Sequence, residues 1–205
     1  MNVRIAPTLI AAALLLPALQ GCFPIVAGGM AAGVLAVDDR RTLATQGEDK
    51  TIFAKAETRI GERFGSRVHV NVTSFNRRVL LTGEVPDANI RTEVERTVGG
   101  VENVASVVNE LQVAGASSLT ARTSDSIITG KVKGNFVDDS GVHANAFKVV
   151  TENSVVYLMG LVTREEADRA ASVAARTSGV RQVVKVLEYI PVAPPTRAAG
   201  SDAKK

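Results

Sequence analysis

"RVLLTGEV" at residues 78–85 and "VVYLMGLV" at residues 155–162 decide the fold of this chain. In the first, Val79, Leu81, Gly83 and Val85 alternate with other residues, the period of a strand with one buried face. A glycine stands at the matching place in the second, so Gly83 pairs with Gly160. Downstream, GGVENVASVVNEL (99–111) matches SGVRQVVKVLEYI (178–190), pairing Gly100-Val101 with Gly179-Val180. The first pair of segments is offset by 77 residues (155 − 78) and the second by 79 (178 − 99). The chain therefore carries a duplication whose second copy is two residues longer between these segments.

The signals around each strand repeat in one order. Ile52, Ala56, Ile60 and Phe64 recur every fourth residue and predict an amphipathic helix over 48–64. Val68, Val70 and Val72 alternate as a strand, and Asn76-Arg77 marks the turn of a hairpin into 78–85. Pro86-Asp87 and Gly99-Gly100 bound a helix over 87–98, and a last strand is predicted over 103–113. The second copy predicts a helix over 125–137, strands over 146–151 and 155–162, a helix over 164–177 and a strand over 182–190. The fold class is α+β: two tandem αββαβ units, each a three-stranded sheet covered on one face by two helices.

The LxGxV strand, the helix after it and the GV-x-x-V-x-x-V-x-N-x-L close at 100–111 resemble the BON domain, a module of bacterial envelope proteins. RRTLATQ (40–46), VTSFNRRVLLTGEVPDA (72–88) and KVVTENSVVYLMGLVTREEA (148–167) resemble the dual BON-domain outer-membrane lipoproteins of the DolP (YraP) type. The resemblance covers about residues 22–190. It implies a periplasm-facing, non-enzymatic protein that binds anionic phospholipid, such as phosphatidylglycerol, through its second BON domain. It also implies support of outer-membrane integrity and a link to cell-division sites.

The start of the chain agrees with this. Arg4 precedes an apolar run from Ile5 to Leu19 that is interrupted by Pro7 and Pro17. A spanning helix needs about 20 apolar residues, so the run reads as a signal-peptide core over residues 1–21. LQGC (19–22) contains the only cysteine and resembles a bacterial lipobox, which implies cleavage before Cys22 and N-acyl and S-diacylglycerol groups on it. Several acyl chains together hold stably to a bilayer. Phe23 stands where the usual inner-membrane retention signal has Asp, which implies the outer membrane. The expected divisions are a tether at 22–46, BON domains at 47–114 and 124–191, a linker at 115–123 and a disordered tail at 192–205.

The candidate lipid-binding residues are Ile127, Ile128, Lys131, Val132, Lys133, Gly134 and Phe136. Ile128, Val132 and Phe136 form the inward stripe of the helix, whereas Ile127 falls off it and replaces Thr51 of the first copy. An exposed apolar side chain beside lysines suits an anionic headgroup layer. A second asymmetry lies on strand 155–162. Its face away from the helices holds Tyr157, Met159 and Leu161, where the first copy has Leu80, Thr82 and Glu84. A half-exposed sheet alternates apolar and polar residues. This apolar face is a candidate domain interface, for the first copy or for membrane.

Composition and motifs exclude other classes. Removing residues 1–21 takes away Arg4 and no acid, so the net charge falls from +3 to +2, too weak to imply nucleic acid. The absence of tryptophan argues against base or sugar stacking. Gly130-Lys131 lacks the glycine and Ser/Thr of a phosphate loop, and Asp138-Asp139 lacks a calcium-loop pattern. His69 and His143 have no Cys or His partner at ligand spacing, so no metal or other cofactor is expected. No nucleophile has a base partner, and no catalytic residue is assigned. The alternative to a lipid-binding module is a membrane-tethered adaptor for envelope-assembly or cell-wall-remodelling proteins.

Overall fold

The computed structural model describes residues 39–191. The signal peptide, Cys22, most of the tether and the tail lie outside them. In order, the elements are α1 (Leu43–Phe64), β1 (His69–Phe75), β2 (Arg78–Val85), α2 (Ala88–Gly99), β3 (Ser106–Asn109), β4 (Gln112–Val113), α3 (Leu119–Asp138), β5 (Phe147–Glu152), β6 (Val155–Val162), α4 (Arg164–Ala175) and β7 (Gln182–Tyr189). In each copy the middle strand pairs antiparallel with its hairpin partner (β1 or β5). It pairs parallel with the strand that follows the helix, β3 and β4 in the first copy and β7 in the second. A parallel neighbour requires a crossover, which α2 and α4 supply. The two αββαβ units are as expected.

Boundaries moved where caps were not recognised. α1 begins at Leu43, inside the predicted tether, because the Thr42 side chain accepts from the Thr45 N–H. α3 begins at Leu119, inside the predicted linker, because the Ser118 side chain accepts from the Ala121 N–H. The predicted strand 103–113 is split. The Leu111 N–H bonds the Asn109 side chain instead of the ladder, and Leu111 drops into the core.

Each unit has its own core between helices and sheet. Ile52, Ala56, Ile60 and Phe64 of α1 meet Val72, Val79, Leu81 and Val85, with Val94 and Val98 of α2 closing the layer. Ile128, Val132 and Phe136 of α3 do the same with Val149, Val156, Leu158, Val162 and α4. The glycine common to both middle strands is explained by close approach. A Cβ on Gly83 would lie 2.1 Å from the His69 carbonyl oxygen, and Gly83 has φ +110°. A Cβ on Gly160 would lie 2.7 Å from the Ala146 carbonyl oxygen. Gly83→Ala should therefore cost at least about 3 kcal/mol, read as a lower urea midpoint. Gly61→Ala, in open space on α1, should instead gain about 0.5–1 kcal/mol.

The hairpin turns show the duplication at atomic detail. Asn76-Arg77 (φ 51° and 64°) and Asn153-Ser154 (φ 49° and 62°) are two-residue turns with both residues left-handed. A buried aspartate on the preceding helix accepts both turn N–H groups. Asp49 takes Asn76 and Arg77 at 2.8 Å each, and Asp125 takes Asn153 at 2.9 Å and Ser154 at 2.8 Å.

The outer faces of the two sheets pack on each other. Phe75 and Leu80 of the first unit form one cluster with Val155, Tyr157, Met159 and Val186 of the second, and the half-buried Val108 and Leu161 pack against it. The layers run helices, sheet, sheet, helices. The described residues all belong to one compact unit, and the three clusters lie within it.

Candidate functional site

The outward side of α3 is the first candidate. Its apolar residues occupy two faces. Ile128, Val132 and Phe136 are 6%, 0% and 1% exposed and belong to the core. Contrary to the expectation that they contact lipid, they pack against the sheet and cannot leave it without unfolding the unit. Ile127 is 55% exposed and Lys131, Lys133 and Gly134 are also exposed. Two further residues join them that the sequence reading missed, Leu119 at 79% and Val137 at 74% exposed. At 100° per residue, Leu119, Ile127, Gly130, Gly134 and Val137 share one outward sector about 80° wide. Lys131 flanks this sector on one side and Lys133 on the other. The acids of α3 are Asp125, which is buried, and Asp138, at the C-terminal end. The corresponding helix α1 exposes Leu43 and Phe53, but Glu48, Asp49, Glu57 and Glu62 balance its four cations.

The β6 face is not open. Tyr157 and Met159 are 3% and 0% exposed beneath the first unit's sheet, and Leu161 is half-buried. Burial, reinforced by the nearby Glu110 and Glu152 carboxylates, pushes the Tyr157 hydroxyl up to about 12. Its first-copy counterparts Thr82 and Glu84 are buried too, at 1% and 3%. The polar alternation of β2 therefore marks a polar stretch of the interface and not a solvated face.

Polar contacts fix the two units at their rims. Asn76 Nδ2 donates to Glu188 at 3.0 Å, and Lys148 Nζ donates to the Ser74 carbonyl at 3.4 Å. The segment before α1 is also bound. Arg40 donates to both Glu166 carboxylate oxygens, at 2.6 and 2.8 Å, and to the Leu161 carbonyl at 3.0 Å. Arg41 pairs with Asp49 at 2.7 Å and lies 3.9 Å over the Phe75 ring. These contacts hold the chain leading toward Cys22 onto both units.

The Arg40 hydrogen bonds, reinforced by the Thr163 N–H and hydroxyl, hold the Glu166 carboxyl at about 2, against burial. A carboxylate depressed in the folded state adds stability above its unfolded pKa of about 4.5. That stability is lost as pH falls toward 2. Arg40→Ala should therefore lower the thermal midpoint at pH 6, and the difference from wild type should shrink between pH 4.5 and 2. A difference that persists unchanged at pH 2 contradicts this.

A mixed cluster lies where β1, β2 and β5 meet. One donor atom each from His69, Glu84 and Glu152 lie within 4.8 Å of one another. His69 Nδ1 is 2.8 Å from Glu84 Oε2, Asn153 Nδ2 donates to Glu84 Oε1 at 3.1 Å, and Asn71 Nδ2 donates to Glu152 at 2.8 Å. The two histidines are apart, since His143 sits 3.8 Å from Glu166. The expectation of no metal rested on local spacing, and these three residues come from separate strands of two domains.

The BON domain family matches residues 53–115 and 124–191. The chain is 38% identical over 174 residues to the outer membrane lipoprotein DolP of Haemophilus influenzae, covering 84% of this chain and 90% of that protein. It is 30% identical to a 21 kDa hemolysin of Actinobacillus pleuropneumoniae, covering 74% and 79%. It is 29% identical to the osmotically-inducible protein Y of Escherichia coli, covering 66% and 70%.

Proposed function

The chain belongs to the BON-domain family as a dual-domain protein of the DolP type, and from that premise we propose that it is a lipid-anchored outer-membrane protein, facing the periplasm, whose second domain holds anionic phospholipid through the outward side of α3. The observation that carries this is the exposed Leu119–Ile127–Val137 sector between Lys131 and Lys133. A helix lying in a bilayer interface buries such a sector among headgroups and sets its cations against phosphate. Each lysine at that surface contributes on the order of 1 kcal/mol. Among the described residues no helix is long and apolar enough to cross a membrane, so this contact is interfacial. Attachment through acyl groups on Cys22, support of outer-membrane integrity and action at division sites follow from the resemblance alone.

Because the first unit covers the Tyr157/Met159/Leu161 face, the adaptor reading has to use another surface. Co-sedimentation of residues 38–205, which lack Cys22, separates the two. The lipid reading expects binding to phosphatidylglycerol-containing vesicles, weakened by salt, and none to phosphatidylcholine vesicles. Absence of binding to both vesicles by the folded protein leaves the acyl chains as the membrane contact and favours the adaptor.

A further inference from the structure

We propose that His69, Glu84 and Glu152 form a divalent transition-metal site that joins the two domains. Glu84 and Glu152 are 3% and 6% exposed, and His69 is half-buried. Burying two carboxylates is costly unless a cation accompanies them. Among the described residues neither forms an ion pair with lysine or arginine; the hydrogen bonds that reach them come from His69, Asn71, Asn153 and the Ser117 N–H. Two residues before Glu84, on the same face of β2, the Thr82 hydroxyl is buried without a hydrogen-bond partner. Among the described residues, the partner that can bring a positive charge to these carboxylates is His69, when protonated, whereas Arg122 on the neighbouring cleft donates to Ser117.

The donor set is one imidazole nitrogen and two carboxylates. It suits Zn²⁺, Mn²⁺, Fe²⁺ or Co²⁺ better than Mg²⁺ or Ca²⁺, which take oxygen ligands. A tetrahedral shell of about 2.1 Å radius sets donors about 3.4 Å apart, so the present separations require only side-chain adjustment. Asn71 and Asn153 already orient the carboxylates from outside, as outer partners do around metal ligands. A cleft of about 320 Å³, lined by His69, Asn71, Arg122, Thr151 and Glu152, gives an ion access from solvent. Because Glu152 belongs to β5 and the other two ligands to β1 and β2, a bound ion ties one sheet to the other.

The test uses residues 38–205 after EDTA treatment and dialysis, titrated with Zn²⁺, Mn²⁺, Co²⁺ and Mg²⁺. One equivalent of a transition ion should bind, and at a hundredfold excess over Kd the thermal midpoint should rise by about 5–10 °C. Mg²⁺ should give no such rise. Glu152→Gln is isosteric and removes a buried charge, so the metal-free variant stays folded by circular dichroism. It and His69→Asn should lose the metal-dependent rise. The proposal is overturned if no transition ion binds the wild type, or if Glu152→Gln keeps an equal rise.

Discussion

Asp49→Ala should lower stability by about 3–5 kcal/mol, and the thermal midpoint of residues 38–205 by about 10 °C. The reason is how many groups one carboxylate satisfies. Asp49 accepts from the Asn76 and Arg77 N–H groups and from the Ser74 hydroxyl, and it pairs with Arg41. Burial works to raise its carboxyl, but hydrogen bonds from Ser74, Arg77, Asn76 and Arg41 outweigh this and hold it below the usual carboxylate range. Alanine leaves two turn N–H groups and the Ser74 hydroxyl without their acceptor, and it leaves Arg41 with Asp39 as its remaining carboxylate partner. It also removes what compensates Asn76 and Arg77 for a left-handed backbone. Asp125→Ala should cost less, about 2–4 kcal/mol, because Asp125 accepts the two turn N–H groups but has no arginine partner. Equal and small effects of the two substitutions in urea unfolding would contradict this.

The largest functional effect should come from the outward side of α3. Ile127→Glu removes an apolar contact worth about 2 kcal/mol and places a carboxylate against anionic headgroups. It should weaken binding to phosphatidylglycerol vesicles at least about tenfold, since 1.4 kcal/mol is a factor of ten. Ile127→Glu with Val137→Glu should lose binding altogether. Lys131→Glu should reduce binding most at low salt, where screening is weakest. The folding cost should be slight in each case, because all three side chains are exposed. Thr51→Glu, at the matching place on α1, should leave vesicle binding unchanged.

Much of this was legible in the sequence because it is carried by period and by repetition. The strand period of Val79, Leu81, Gly83 and Val85, met again 77 residues on, gave the units, their order and their helix-facing cores. Four-residue spacing placed Ile128, Val132 and Phe136 inward and Ile127 outward. The helix starts were less legible, because Thr42 and Ser118 act through one side-chain oxygen each and not through a pattern. Missing Ser118 hid Leu119, and with it part of the outward face. Thr82 and Glu84 read as solvent-facing because their partner surface belongs to the other unit. The cluster of His69, Glu84 and Glu152 had no local signal at all, since its members are 15 and 68 residues apart in the chain (84 − 69 and 152 − 84). The aspartates that bind the hairpin turns, Asp49 and Asp125, carried no signal of that role, because the groups they accept from are backbone N–H groups 27 to 29 residues further on.

The central claim is that the outward side of α3 enters the headgroup layer. Residues 38–205 contain no cysteine, so Ile127→Cys and Thr51→Cys each give one site for an environment-sensitive fluorophore. With phosphatidylglycerol vesicles, emission from the probe at position 127 should shift to the blue and rise. The probe at position 51 should stay as it is in buffer, and neither should respond to phosphatidylcholine vesicles. An unchanged spectrum at 127 while the protein co-sediments with anionic vesicles, or an equal shift at 51, would contradict the account.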